Sequence, residues 1–89
     1  MSGKISSAQM RAARALLRWS ALDLAKASKV GVATIRRVEV KEGELSATLA
    51  NEAALRGALE AAGVEFIDEN GEGAGVRLRK PSETKPKKK

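Results

Sequence analysis

Eighty-nine residues, 43% of them hydrophobic and 31% charged, suffice for one small soluble domain with a modest core. Cysteine and histidine are both absent, which excludes disulfides, thiolate metal sites and the usual general base near neutral pH, so no metal, cofactor or enzymatic activity is expected. The formal charge of +6 points toward a polyanionic partner. No apolar run approaches the roughly 18 residues of a membrane span, and MSGKISSAQM lacks the apolar stretch of a secretory signal, so a cytoplasmic protein with no membrane partner is expected.

Taken in chain order, the pattern predicts four helical segments and a hairpin. The first helix runs from about Ser7 to Arg18, with Ala12, Ala13, Leu16 and Leu17 at helical spacing and Arg11, Arg14 and Arg18 along another stripe. Ser20 is a plausible N-cap for ALDLAKAS, and Asp23 at the third helical position suits the helix dipole. After KVG, a third helix spans about Val32 to Val40 and turns Ile35 and Val38 inward. KEGEL is a break at Gly43. A fourth helix, capped by Ser46 or Thr48, carries Leu55, Ala58, Leu59 and Ala62 on one stripe and stops at Gly63.

The chain then changes character. VEFID and GVRLRK alternate as strands do and are separated by ENGEGA, in which Asn70-Gly71 is a turn signal. Val64, Phe66, Val76 and Leu78 are expected on one face, packed on the helices or on another chain, because an isolated hairpin is marginal in water. Residues 1–79 therefore read as one domain, and residues 80–89, which include PSETKPKKK, as a disordered lysine-rich tail acting as a loose electrostatic arm.

The charge follows the same division. Residues 1–43 hold nine Lys/Arg against Asp23, Glu39 and Glu42; residues 44–79 hold Arg56, Arg77 and Arg79 against seven acids; the tail is basic again. A basic first half followed by an acidic segment suggests a polyanion-binding face beside a region with another task, here a dimer surface.

The segment DLAKASKVGVATIRRVE combines two short helices, a tight turn and the small Ala25 where the helices would cross, with Leu24, Val30, Ile35 and Val38 around it. That spacing fits a helix-turn-helix, whose second helix enters the major groove. With Ile35 inward, 100° per residue points Ala33 and Arg37 outward and puts Thr34 and Arg36 on the flanks. Base edges would then meet Val32, Ala33, Arg36 and Arg37. Arginine pairs bidentately with guanine, and Val or Ala can touch the thymine methyl, so a guanine next to a thymine suits this surface. Arg11, Arg18, Ser20, Lys26, Lys29, Thr34 and Lys41 are phosphate-contact candidates, a plain solvated surface being the alternative for the charged ones. Trp19 is expected in the core.

Through AARALLRWSALDLAKAS, ATIRRVE and ALEAAGVEFI…GAGVRLRK, the chain resembles the Cro/phage-repressor class of helix-turn-helix regulators, and more narrowly the small regulators of alphaproteobacteria and their mobile elements. The resemblance implies a mainly α fold, a compact helix-turn-helix bundle of four to five helices with a C-terminal β-hairpin. It further implies double-stranded DNA as partner, a homodimer on paired half-sites, and a structural ion pair between Arg14 and Glu39. It also exposes departures. Ala21 replaces a phosphate-holding Gln, Lys29 a left-handed Gly, Gly31 a capping Ser or Thr, and Val32 a frequent Arg or Gln. These departures leave room for a different role, a protein-interaction module of antitoxin or anti-activator type.

Overall fold

The computed structural model describes residues 5–41, 43 and 47–79. They form α1 (Ser7–Leu17), α2 (Ala21–Ser28), α3 (Val32–Val40), α4 (Leu49–Ala61), β1 (Val64–Ile67) and β2 (Gly75–Leu78). The architecture is mainly helical, with four helices and one antiparallel hairpin among the described residues. None of these helices is long and apolar enough to cross a membrane. The lysine-rich tail, Ser46 and most of the KEGEL break lie outside the described residues.

Local chemistry sets the helix boundaries. At the start of α1 the Ser6 Oγ accepts from the Gln9 N–H at 3.0 Å, while Gln9 Oε1 accepts from the Ser6 N–H at 2.9 Å. This reciprocal capping satisfies two donors that the helix leaves open. Ser20 and Asp23 repeat the device at α2, at 3.0 and 2.9 Å. Accepting the Ser20 N–H holds the Asp23 carboxyl below its ordinary range, and the Ser20 hydroxyl and Lys26 add to the effect. Thr48 caps α4 through the Asn51 N–H at 3.0 Å. The chain leaves α4 through Gly63 at φ +111°, a conformation open to glycine at little cost.

Among the described residues two that are not glycine take left-handed backbone, Arg18 at φ 60° and Lys29 at φ 67°. Each closes a helix, and each costs on the order of 1 kcal/mol relative to glycine. Arg18 thus ends α1 one residue earlier than the periodicity suggests. Lys29 adopts the conformation its position in the turn requires, despite its side chain.

The core draws on every element. Met10, Ala13, Leu24, Ile35, Val38, Leu55, Leu59 and Val64 are fully buried, with Ile5, Val30 and Phe66 nearly so. Trp19, Leu17, Ala25 and Ala58 pack against this cluster from its rim. The inward face of α1 differs from the expected one. It runs through Met10, Ala13 and Leu17, while Ala12 is exposed and Leu16 is 40% exposed. The reason is tertiary. The hairpin covers the Gln9 side of α1, where Gln9 Nε2 donates to the Gly75 and Ile67 carbonyls at 3.1 and 3.4 Å, and α3 covers the Arg14 side. Ala12 and Leu16 fall outside the sector between those two neighbours.

β1 and β2 pair in the register Val64↔Leu78, Glu65↔Arg77, Phe66↔Val76 and Ile67↔Gly75. Val64, Phe66, Val76 and Leu78 therefore do share a face. Val64 and Phe66 are buried by the hairpin's packing on α1 and α4, Val76 is half-buried, and Leu78 remains 48% exposed. So the inner face is largely occupied by the chain's own helices. Arg56 supports it from α4, its guanidinium 5.1 Å from the Phe66 ring centroid and 2.9 Å from Glu60. The connection spans seven residues, wider than a two-residue Asn-Gly turn. Glu69 Oε2 accepts the Gly71 and Gly73 N–H groups at 3.0 and 3.1 Å, and Asn70 Oδ1 accepts that of Glu72.

Candidate nucleic-acid interface

α2 and α3 are joined by Lys29, Val30 and Gly31, a connection short enough to hold them side by side. Lys29 turns the chain, its N–H donating to the Ala25 carbonyl at 2.8 Å. Ser28 is buried and its hydroxyl accepts the Val30 N–H at 3.1 Å, which pins Val30 into the core. Gly31 then opens α3 with no side-chain cap, as its composition dictates.

α3 divides sharply into two faces. Ile35, Val38 and Glu39 are buried, whereas Ala33, Arg36 and Arg37 are exposed, with Val32 and Thr34 half-buried on the flanks. The four residues assigned to base edges thus lie on the outer side and flank of one helix. Arg18, Ser20, Lys26, Lys29 and Lys41 are exposed as well.

Glu39, the single acid of α3, is withdrawn from this surface. Its carboxylate meets the Arg14 guanidinium at two points, Nε to Oε2 and Nη2 to Oε1, both 2.8 Å. The third arm of Arg14 donates from Nη1 to the Trp19 carbonyl at 2.8 Å. A planar fork matched to a planar carboxylate is the strongest geometry available to such a pair. The hydrogen bonds to Glu39 raise the Arg14 pKa further above its ordinary value, and burial opposes them. Through this pair α1 and α3 are joined 25 residues apart, and the Trp19 corner is tied to both.

The arginines separate by task. Arg11, a phosphate candidate in the sequence, donates from Nη1 to the Glu39 backbone carbonyl near the end of α3. Part of its donor capacity is therefore spent inside the fold. Ser20 also works locally as a cap, which leaves its hydroxyl proton for an outside acceptor. By contrast Arg18, Lys26, Lys29, Arg36, Arg37 and Lys41 form no ion pair with any carboxylate among the described residues. The result is a set of exposed basic side chains on and next to α2 and α3, with the acid of α3 folded inside and Asp23 of α2 left on the surface.

Several structural residues were not singled out from the sequence: Gln9, Ser28, Met10, Ile5 and Glu52. Glu52 is buried on α4 and its Oε2 accepts the Ile5 N–H at 2.8 Å, tying down the segment that precedes α1. Ser6-x-x-Gln9 is a legible capping pattern, and Ser28 acts only two residues along, on the Val30 N–H; Met10, Ile5 and Glu52 depend on long-range contacts with no local signature. No protein-family model matches this chain, and neither a curated protein nor a solved structure does.

Proposed function

We propose that this chain is a small transcriptional regulator that binds double-stranded DNA sequence-specifically. α2 and α3 act as a helix-turn-helix, with α3 in the major groove. The observation that carries the reading is the division of α3: Arg36 and Arg37 are exposed and unpaired among the described residues, while Glu39 is buried against Arg14. A helix that hides its acid and presents two arginines beside Ala33 and Val32 suits a polyanion with apolar groups in its groove, as duplex DNA has in the thymine methyl. Arg36 and Arg37 take base edges together with Val32 and Ala33. Arg18, Lys26, Lys29, Lys41, Ser20 and Thr34 hold flanking phosphates, and Arg11 is a lesser candidate there because it is engaged inside the fold. Binding to two half-sites about one turn, roughly 34 Å, apart requires a dimer. The reading needs no cofactor and no catalytic residue, and it places the protein in the cytoplasm on the nucleoid.

Phosphate contacts release counterions, so affinity for duplex DNA is expected to fall with salt at a log–log slope of about −0.9 per phosphate neutralised. Fluorescence anisotropy across a salt series checks this. Truncation after Lys80 is expected to make the slope shallower and leave the preferred site unchanged. A shifted site preference would show that the tail reads bases.

A second reading, a protein-interaction module of antitoxin or anti-activator type, is favoured by Leu22, 51% exposed near the start of α2, and by the missing side-chain cap of α3. Salt-sensitive binding to random duplex separates the two, since an apolar protein interface has no such dependence on duplex DNA.

A further inference from the structure

Each outward arginine of α3 has an apolar residue one turn before it. Ala33 precedes Arg37 by four residues and Val32 precedes Arg36 by four, so each pair shares one stripe, with Cβ atoms about 5–6 Å apart. Helical side chains lean toward the N-terminus, which carries each guanidinium back toward the apolar residue before it. Ala33, Arg36 and Arg37 are exposed and Val32 is half-buried, so fork and alkyl group reach the surface together. None of these four side chains accepts a hydrogen bond, since arginine only donates and Val and Ala are apolar. The one acid of α3 is Glu39, and Arg14 holds both its oxygens at 2.8 Å. An outward Glu or Asp would accept from the N4 amino group that marks cytosine in the major groove. α3 offers none. With its arginines on guanine, it distinguishes the two pyrimidines by the methyl group that thymine has and cytosine lacks.

We propose, resting on the DNA-binding reading above, that cytosine methylation regulates this site: α3 accepts 5-methylcytosine beside a guanine in place of thymine and disfavours unmethylated cytosine there. The C5 methyl of 5-methylcytosine stands where that of thymine does, on the major-groove edge of the base. It sets the same alkyl surface against Ala33 or Val32, while the guanine keeps its O6 and N7 for the arginine. Burying one methyl against an apolar side chain corresponds to about a fourfold gain in affinity. A dimer on two half-sites makes that contact twice, so the two gains multiply to more than about tenfold.

Binding of the full chain to four synthetic duplexes at fixed salt tests this. All carry the motif selected from random DNA, with thymine, uracil, cytosine or 5-methylcytosine beside the guanine of each half-site. Affinity is expected to fall more than about tenfold from thymine to uracil, which lacks only the methyl, and to rise by the same factor from cytosine to 5-methylcytosine. Ala33→Ser and Val32→Ser put a hydroxyl where the alkyl group stands. At least one of them is expected to bring both ratios to within about twofold of unity at unchanged circular dichroism. The base series decides the matter with the parent protein even if either variant misfolds. A 5-methylcytosine duplex bound no better than the cytosine one, a selected motif with no thymine beside its guanine, or a methyl preference that survives both substitutions would overturn the proposal and leave DNA binding standing. No motif and no affinity for any duplex would overturn the DNA-binding reading, and the proposal with it.

Discussion

Glu39→Ala is expected to destabilise the fold by about 3 kcal/mol, because it strands the Arg14 guanidinium in a site built for a carboxylate. Arg14 is part-buried, its side chain 23% exposed, and that of Glu39 only 8%, so water cannot fully replace the lost partner. Two of the three acceptors that Arg14 donates to vanish with the carboxylate, and the third bond, to the Trp19 carbonyl, loses the anchor that aims it. In a domain whose whole stability is about 5–10 kcal/mol, this is a large fraction. The melting temperature is expected to drop by more than about 10 °C on the scaling for chains of this size. Replacing both partners, Arg14→Met with Glu39→Leu, is expected to recover much of the loss, since the penalty comes from an unpaired charge rather than from a missing attraction. Urea denaturation of the parent and the two variants reads this directly. An unchanged midpoint in Glu39→Ala would mean that the guanidinium finds solvent and the pair is a surface feature.

Arg37→Ala is expected to leave stability nearly untouched and to cost about 1–3 kcal/mol of binding at the preferred DNA site, with selectivity relaxed at one base position. The expectation rests on the division of α3. Arg37 stands opposite the buried Ile35, is exposed, and makes no internal ion pair. A phosphate contact in the same place would instead weaken all sequences by similar amounts. Mutant and parent are therefore compared on the best site, on its single-base variants and on random duplex at fixed salt. Uniform weakening reassigns Arg37 to the backbone and makes Arg36 the better base reader.

What could be read from the sequence is what depends on near neighbours. Ser20 and Thr48 cap helices through bonds three residues long, Gly63 ends α4 because a left-handed backbone favours glycine, and Ile35 and Val38 face inward on a period of 3.6. The outer face of α3 follows from the same period. The Arg14–Glu39 pair was indicated by resemblance alone, since no periodicity links residues 25 apart. The face of α1 was misplaced because its sector is chosen by the hairpin and α3, neither of which leaves a mark within residues 7–17. The contact of Arg11 with the end of α3 had no signal for a similar reason: an acceptor there is a backbone carbonyl, which residue types do not announce. The hairpin's inner face was identified correctly, yet whether the chain's own helices or a second copy would cover it depended on how α1 and α4 are placed.

The claim that this protein reads DNA sequence through α3 is tested most directly by selecting bound duplexes from a random pool with the full-length chain. Enrichment of a short motif containing a guanine next to a thymine is expected, repeated as two half-sites about one helical turn apart. Recovery of duplexes with no shared motif, or no recovery above background at low salt, would contradict the account.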